Sequence, residues 1–548
     1  MRDKDKAEVL AKFFSSVFTQ EPLGDLPEFN KSNIVHPFED IICTQQKVEK
    51  LLSDLNENKS QGPDIMHPKI LKELRKHISK PLSEIFNKSL QDGKLPEAWK
   101  EANITAIFKK GSKSEAGNYR PVSLTSIVGK TLEKLVRDSI VNHMNINNLL
   151  SNKQFGFVSG RSTQLQLLMV LEEWTEIIDN GGQLDVVYMD FMKAFDKVPH
   201  RRLLEKIKGY GISDQVTNWI KDFLSNRCQR VLVNGESSKT YPVVSGIPQG
   251  SVLGPILFVI YINDLPEIPK SNSPLFADDT KLYREIRNNN DKDILQNDLS
   301  KLEQWSAKWL LKFHPNKCKV LSINSKEKRL YYMSGTTGEK LELESITSEK
   351  DIGVTVDENL NFRTHIQLGV NKANSILGLI RRTFTYLDEK MFKLLFKALV
   401  RPHLEYASSV WSPYKTRDID LIENVQRRAT KLIPGFKNLS YPERLQRLKL
   451  PTLEHRRNRG DLINVFKIVK NIYDERVTTN MFQMDTTSRT RGHSHKIFKK
   501  RCNLDIRKNF FSFRVVDVWN NLPQHVIDAE EVKQFEIALD NHWDNTNK

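Results

Sequence analysis

The chain has 548 residues and a formal net charge of +16, from 84 Lys+Arg against 68 Asp+Glu. That length suits one large multi-lobed unit or two to four domains, and 39% hydrophobic with 28% charged residues excludes a disordered or fibrous chain. Cys43, Cys228, Cys318 and Cys502 lie far apart with no Cys-x-x-Cys. That spacing excludes a disulfide framework and a zinc knuckle and fits a reducing compartment. The longest apolar run, Pro255–Ile262, is too short for a bilayer, and the opening residues lead into no signal-peptide core, so no membrane is expected. A strongly basic chain points to polyanions, with nucleic acid first among them.

Residues 1–60 are polar with short helical patterns (Val48, Leu51, Leu52, Leu55), broken by Ser60-Gln-Gly-Pro-Asp64. A helical stretch follows, with Ile70, Leu71, Leu74, Ile78, Leu82 and Ile85 at three-to-four-residue spacing. From about 100 to 360 strands and helices alternate. Asp185-Val-Val-Tyr-Met-Asp190 reads as a buried strand and Gln229–Gly235 as a strand closing into a hairpin turn, while Leu295, Leu299, Leu302, Trp305 and Trp309 mark one face of an amphipathic helix. Beyond 365 strand signals nearly vanish and helices are expected around 388–400, 417–433 and 455–473. Residues 371–548 hold 33 Lys+Arg against 20 Asp+Glu, so +13 of the excess sits in the last third.

Phe276-Ala-Asp-Asp-Thr280 is the sharpest chemical feature. Adjacent carboxylates in apolar, strand-like surroundings repel and lose hydration, an objection removed when a tight hairpin sets them on a divalent cation. A second acidic strand end, Val186-Val-Tyr-Met-Asp190, precedes Phe191-Met-Lys-Ala-Phe-Asp196. Magnesium takes oxygen ligands and shares them with substrate phosphates, and two ions about 4 Å apart clamp the attacking and leaving oxygens of a phosphoryl transfer. Asp190 and Asp278 are the natural bridging ligands and Asp279 an outer partner. Between them, Ser245-Gly-Ile-Pro-Gln-Gly250 lets the backbone approach a substrate closely, and Gln249 offers donor and acceptor to a base or sugar edge.

This ordered set resembles the reverse transcriptases of non-LTR retrotransposons, in particular the LINE-type elements of the Jockey and chicken-repeat kind. Asn118-Tyr-Arg-Pro-Val-Ser-Leu124, Gln154–Arg161, Gly250–Phe258, Val400–Tyr406 and Tyr441-Pro-Glu-Arg-Leu445 extend the likeness over roughly residues 60 to 540. The resemblance implies an α+β, right-hand polymerase: an N-terminal extension and start of fingers over 1–90, fingers and palm with an antiparallel sheet over 91–360, and a helical, basic thumb and C-terminal nucleic-acid-binding region over 361–548. It implies that Asp190, Asp278 and Asp279 are catalytic carboxylates, with the Phe191 carbonyl as a further ligand to two Mg2+ (Mn2+ a substitute). Phe195 then corresponds to the aromatic gate that rejects a ribose 2′-hydroxyl. Lys109, Lys110 and Arg120 match the basic residues near the incoming triphosphate, with Gln249 and Gly250 also at the substrate. Lys317 matches a lysine proposed to protonate the leaving pyrophosphate, and Ile352-Gly-Val354 resembles the primer-grip segment. Met192 departs from the common Ser.

The partners implied are an RNA template, a DNA primer or target, and dNTPs, in target-primed reverse transcription. Such elements usually carry an endonuclease ahead of the polymerase, and this chain is expected to lack one, as a truncated or genomic copy. Arg381-Arg382, Arg427-Arg428, Arg456-Arg457-Asn458-Arg459 and Lys499-Lys-Arg501 are candidate phosphate contacts, and Lys496–Arg501 a short nuclear-import-like run. Residence in nucleus and cytoplasm is expected. The competing reading is an inactive relic that only binds RNA or DNA; an RNA-templated RNA polymerase is disfavoured by Phe195.

Overall fold

A computed structural model describes residues 2–29, 34–325, 327–335, 338–485 and 493–546. The chain divides into two compact units interleaved in sequence: Met1–Phe157, Met189–Lys270 and Asn297–Pro315 form the first, and Val158–Tyr188, Ser271–Gln296 and Asn316–Lys548 the second. Among the described residues the strands are β1 (Glu101–Phe108), β2 (Tyr119–Leu124), β3 (Leu184–Met189), β4 (Arg227–Val233), β5 (Glu236–Ser237), β6 (Tyr241–Val243), β7 (Leu275–Phe276), β8 (Asp279–Glu285), β9 (Lys319–Ile323), β10 (Tyr332–Ser334), β11 (Lys340–Glu342), β12 (Glu344–Ile346), β13 (Ser348–Asp351) and β14 (Val354–Asp357).

The first unit holds a sheet in the order β2-β1-β4-β5, with β6 also on β4. Its β1 is antiparallel to β2 and parallel to β4. Alternation along β1 turns Ala102 and Ile104 inward, where Ala7, Ala11 and Phe14 of the helix Asp3–Ser16 meet them. The expected hairpin after Gln229 is present. Val233 pairs with Glu236 across Asn234-Gly235, whose φ values of 49° and 89° are those an Asn-Gly type I′ turn requires. The helix Gly254–Ile262 is buried from Ile256 through Ile262, which makes it a core helix rather than an amphipathic one.

The helical stretch from Ile70 is two helices, Pro68–Glu73 and Arg75–Asp92. The Arg75 guanidinium takes the Lys72 carbonyl at 2.8 Å, the acceptor that the Lys76 N–H would need in one continuous helix.

In the helix His200–Gly209, Lys206 is fully buried inside an aromatic cage. Its Nζ lies 4.0 Å from the Trp309 ring centre, 4.7 Å from Trp305 and 5.1 Å from Tyr261. It donates to the Tyr261 carbonyl at 2.5 Å and to the Asp264 carboxylate. Burial, only partly offset by Asp264, pulls its pKa down to about 8.

The second unit is built on a sheet ordered β12-β9-β3-β8-β7, of which β3 contributes all but its last residue. Tyr188 faces Lys319 across the antiparallel β3–β9 pair, and β12 runs parallel to β9. The β13–β14 hairpin is tied to this sheet by two ion pairs, Lys319 with Glu349 at 3.0 Å and the buried Lys281 with Asp351. After β14 the described residues form no further strand. The helices Arg363–Thr383, Thr416–Thr430 and Leu453–Val469 share one apolar core with Trp174 and Val186. The helix expected at 388–400 runs Glu389–Leu395 and then widens into a π turn, Phe396–Val400. Pro402 has no N–H to continue the α pattern, and the Arg401 N–H reaches five residues back to Phe396 at 2.9 Å.

Candidate active site

The expected site residues divide between the two units. Lys109, Lys110, Arg120, Asp190, Phe191, Phe195, Gln249 and Gly250 belong to the first, and Asp278, Asp279 and Lys317 to the second.

In the second unit Phe276 pairs with Asp279 and Leu275 with Thr280, so Ala277-Asp278 forms a two-residue hairpin loop. Ala277 has φ 54°, a left-handed conformation costing a residue with a Cβ about 1 kcal/mol. Asp278 is half-buried and Asp279 exposed, while Thr280, Lys281 and Leu282 behind them are buried. The tight turn thus presents two successive carboxylates at the end of a rigid strand pair. In the sheet order β3 lies beside β8, and Asp190 is the residue that follows β3. Lys317 is exposed in the 3-10 turn Pro315–Lys317 leading into β9, a strand that β3 separates from β8.

In the first unit the segment after Asp190 pairs with residues 312–314. His314 N–H donates to the Asp190 carbonyl at 2.7 Å and Met192 N–H to the Lys312 carbonyl at 2.9 Å. The Phe191 and Phe313 rings stack, with centroids 4.3 Å apart. The Phe191 carbonyl shares a trans peptide with the Met192 N–H, so it points away from 312–314. Lys193, at φ 51°, makes the sharp turn into the short helix Ala194–Lys197.

Phe195 is half-buried, stacked on the buried Phe258 at 4.3 Å and edge-on to Phe157 at 6.4 Å. Its carbonyl accepts from Ile247 N–H at 2.8 Å. Gln249 donates from Nε2 to the Asp196 carboxylate at 2.8 Å, and its carbonyl accepts from Ser123 N–H on β2 at 2.7 Å. Two glycines are required here. A Cβ on Gly246 (φ 81°) would lie 2.5 Å from the Asp196 carbonyl oxygen, and one on Gly250 (φ 120°) 2.5 Å from that of Ser123. The structure therefore joins Phe195 and Asp196 to the glycine-rich loop, whose Gln249 and Gly250 lie against Ser123 of β2. Arg120 is on the same strand, exposed opposite Ile107. Burial pushes the Asp196 carboxyl up, opposed by the Gln249 hydrogen bond and by the charges of Lys193 and Arg120. Lys109 and Lys110 are exposed in the loop joining β1 to β2, closed by Lys109 N–H donating to the Asn118 carbonyl.

Two residues escaped sequence reasoning. Asp196 stood inside a quoted motif without a role. Glu133 is buried in the helix Ile127–Ile146 and accepts from Val252 and Leu253 N–H at 2.6 and 3.2 Å, anchoring the glycine-rich loop where the helix Gly254–Ile262 begins. Burial raises its pKa. Its one sequence signal was an acid within an apolar helical stripe (Leu132, Val136, Ile140).

Among the described residues no three His, Cys, Asp or Glu side chains gather as a metal cage. The adjacent hairpin carboxylates of Asp278 and Asp279 are oxygen donors, the ligand type that suits Mg2+ completed by substrate phosphates. No helix among the described residues is long and apolar enough to cross a membrane. Among the described residues no disulfide bond is present.

The structure also sorts the C-terminal cations. Arg456 is paired with Glu405 at 2.5 and 2.9 Å, Arg459 with Asp540 at 2.6 and 3.0 Å, and Arg457 is buried. Arg456 and Arg459, candidate phosphate contacts by sequence, are thus engaged in tying helices together.

A strand pair presenting adjacent carboxylates, with a glycine-rich loop and an aromatic-acid turn in the same chain, is what the resemblance to a nucleotide-polymerising protein implies. Residues 107–362 match the reverse transcriptase (RNA-dependent DNA polymerase) family, and that segment belongs to it. The chain is 27% identical over 433 residues to the RNA-directed DNA polymerase from mobile element jockey of Drosophila melanogaster, covering 75% of this chain and 46% of the relative. It is 26% identical to the probable RNA-directed DNA polymerase from transposon X-element of the same species (79% and 49% covered). For the probable enzyme from transposon BS of that species the identity is 28% (71% and 44% covered). Over most of its length the chain is thus similar to the reverse transcriptases of non-LTR retrotransposons, the likeness its motifs also carry. It spans about half the length of these curated relatives.

Proposed function

We propose that the chain is an RNA-directed DNA polymerase that extends a DNA 3′-hydroxyl on element RNA, by target-primed reverse transcription with dNTPs. The observation that carries this reading is the Asp278-Asp279 hairpin, strained at Ala277 and set beside the strand that leads into Asp190, within a segment of the reverse transcriptase family. Functionally, 1–90 serves as extension and start of fingers, 91–360 as fingers and palm, and 361–548 as thumb and nucleic-acid-binding region. Target-primed synthesis also needs a nick in the target DNA, and the protein works in nucleus and cytoplasm.

Asp190, Asp278 and Asp279, with the Phe191 carbonyl, would hold two Mg2+ (Mn2+ as substitute). Such ions activate the attacking hydroxyl and neutralise charge on the leaving phosphates. The chain's own residues do the rest. Arg120, Lys109 and Lys110 bind the triphosphate tail, Arg120 with the directional donors a phosphate favours. Gln249 and Gly250 contact the incoming nucleotide, whose sugar lies against Phe195. Phe195 is held by Phe258 and Phe157, so its ring cannot rotate aside for a 2′-hydroxyl. Lys317 delivers a proton to the departing pyrophosphate.

The test is extension of a primed RNA by the purified protein with dNTPs and Mg2+. Synthesis is expected, and Asp278→Ala should reduce it by several orders of magnitude; an unimpaired Asp278→Ala would refute the assignment. Binding of RNA with no incorporation by the wild type would instead identify a relic. Phe195→Ala should admit ribonucleotides, and unchanged sugar selectivity would remove Phe195 from the gate.

A further inference from the structure

The helix Thr416–Thr430 and the helix Tyr441–Leu448, with the loop between them, enclose an open groove of about 700 Å3. Five cations line it, namely Arg427, Arg428, Lys431, Lys437 and Arg444, and no carboxylate is among the described lining residues. Arg444 forms the floor. It is 3% exposed and donates to Thr430 Oγ1 at 3.0 Å, to the Leu439 carbonyl at 2.5 Å and to the Arg427 carbonyl at 3.4 Å. It thereby neutralises the C-terminal end of one helix and pins the loop. The Tyr441 ring is flanked by the guanidiniums of Arg427 at 5.4 Å and Arg444 at 5.5 Å, and its hydroxyl is engaged with Glu423 and Gln426. Arg427 is offset by Asp420 at 3.2 Å. Arg428, Lys431 and Lys437 are exposed.

Three exposed cations beside two more, over a rigid floor, repel one another, and an anion spanning several of them relieves that repulsion. Unlike Arg456 and Arg459, which carboxylates neutralise, the cations of this groove turn positive charge outward. Tyr441 is partly buried, its hydroxyl is hydrogen-bonded and two guanidiniums lie within 5.5 Å of its ring centre, so charge rather than stacking dominates this lining. The lining supplies only partly buried apolar side chains, Leu421 and Leu439, and so lacks the exposed apolar wedge a lipid surface would require.

We propose that this groove binds the phosphodiester backbone of nucleic acid, by charge and without reading bases. The inference rests on the reading of the chain as a nucleic-acid enzyme and locates a contact for that partner. Each neutralised phosphate contributes a salt-dependence slope of about 0.9 on duplex DNA and about 0.7 on a single strand. Removing Arg428, Lys431 and Lys437 therefore lowers the slope by about 2.7 or about 2.1, so that a fourfold rise in salt costs the wild type about 40-fold more duplex affinity than the variant.

The experiment is a salt titration of binding by the full chain, wild type against the triple Ala variant. The probes are single-stranded RNA, duplex DNA and an RNA–DNA hybrid of unrelated sequences, plus vesicles of anionic lipid. A second triple Ala variant at the exposed Lys76, Lys80 and Lys328 controls for bulk charge. The proposal expects a lower slope for the groove variant on at least one nucleic-acid probe, equal across sequences, and little change for the control. The probe affected most identifies the polymer held. An unchanged slope, an equal fall in the control, or an effect confined to vesicles overturns it. Should the triple variant melt early, Arg428→Glu alone is measured, and no loss of affinity from that charge reversal overturns the proposal as well. Asp278→Ala separates the two readings, since it should lose synthesis while keeping the groove's slope; failure of the polymerase reading leaves the slope result standing.

Discussion

Replacing Lys206 by Met should flatten the alkaline limb of this protein's stability profile. In the folded first unit the ammonium is fully buried among Trp305, Trp309 and Tyr261 and its pKa is about 8, against 10.5 for a solvated lysine. Between those two values the unfolded chain keeps a proton that the folded chain has released. Stability therefore rises with pH across that window and is lost as pH falls through the folded value. A separation of about 2.5 units corresponds to about 3 kcal/mol. Met keeps the unbranched shape and sets a thioether against the rings. Asp264 is not stranded, because Trp305 Nε1 still donates to it at 3.0 Å and its side chain is 20% exposed. The assay is urea unfolding of both proteins from pH 7 to 10.5, followed by the fluorescence of the caging tryptophans. Other lysines and tyrosines titrate in both proteins and cancel in the difference. The wild type should gain about 3 kcal/mol on the Met variant over this range. A difference that stays level, or shrinks as pH rises, would refute the cage as the cause.

In the second unit Lys281→Ala leaves Asp351 buried and unpaired and should cost about 3–5 kcal/mol, most of it recovered in Lys281→Met/Asp351→Leu. A double-mutant cycle by chemical unfolding measures this, and a single-mutant cost below about 1 kcal/mol would show that water reaches the pair. At the β13–β14 turn Gly353 has φ 95°, and a Cβ there would sit 2.7 Å from Tyr406 Cε1. Gly353→Ala should destabilise by about 1–3 kcal/mol. The combination with Tyr406→Ala should be less than additive, because the ring causes part of the clash, and strict additivity would exclude that contact. Tyr406 also donates to the Ile352 carbonyl at 2.8 Å, so Tyr406→Phe should weaken primer extension at limiting primer more than at saturation. Equal loss at both would disconnect this turn from primer binding.

The motifs around Asp190, Gln249 and Asp278 could be read directly, because strands, tight turns and glycine-rich loops are encoded by residues a few positions apart. Asn234-Gly235 is the plainest case. Two adjacent residues that tolerate positive φ set the turn, and the pairing of β4 with β5 follows. The charge asymmetry toward the C-terminal third is likewise a property of composition. Other features depend on residues brought together from afar. Arg456 and Arg459 look like phosphate contacts until Glu405 and Asp540, 51 and 81 residues away, arrive to neutralise them. Glu133 anchors a loop 119 residues further on, and Lys206 finds its aromatic cage through Trp305 and Trp309. The π turn before Pro402 and the break at Leu74 arise where one missing or diverted hydrogen bond overrides helix propensity. Local patterning carries the chemistry of a site because its reacting groups lie at strand ends and turns. Which cations remain available to a partner is set by long-range packing, where burial and pairing at a distance outweigh anything adjacent residues encode.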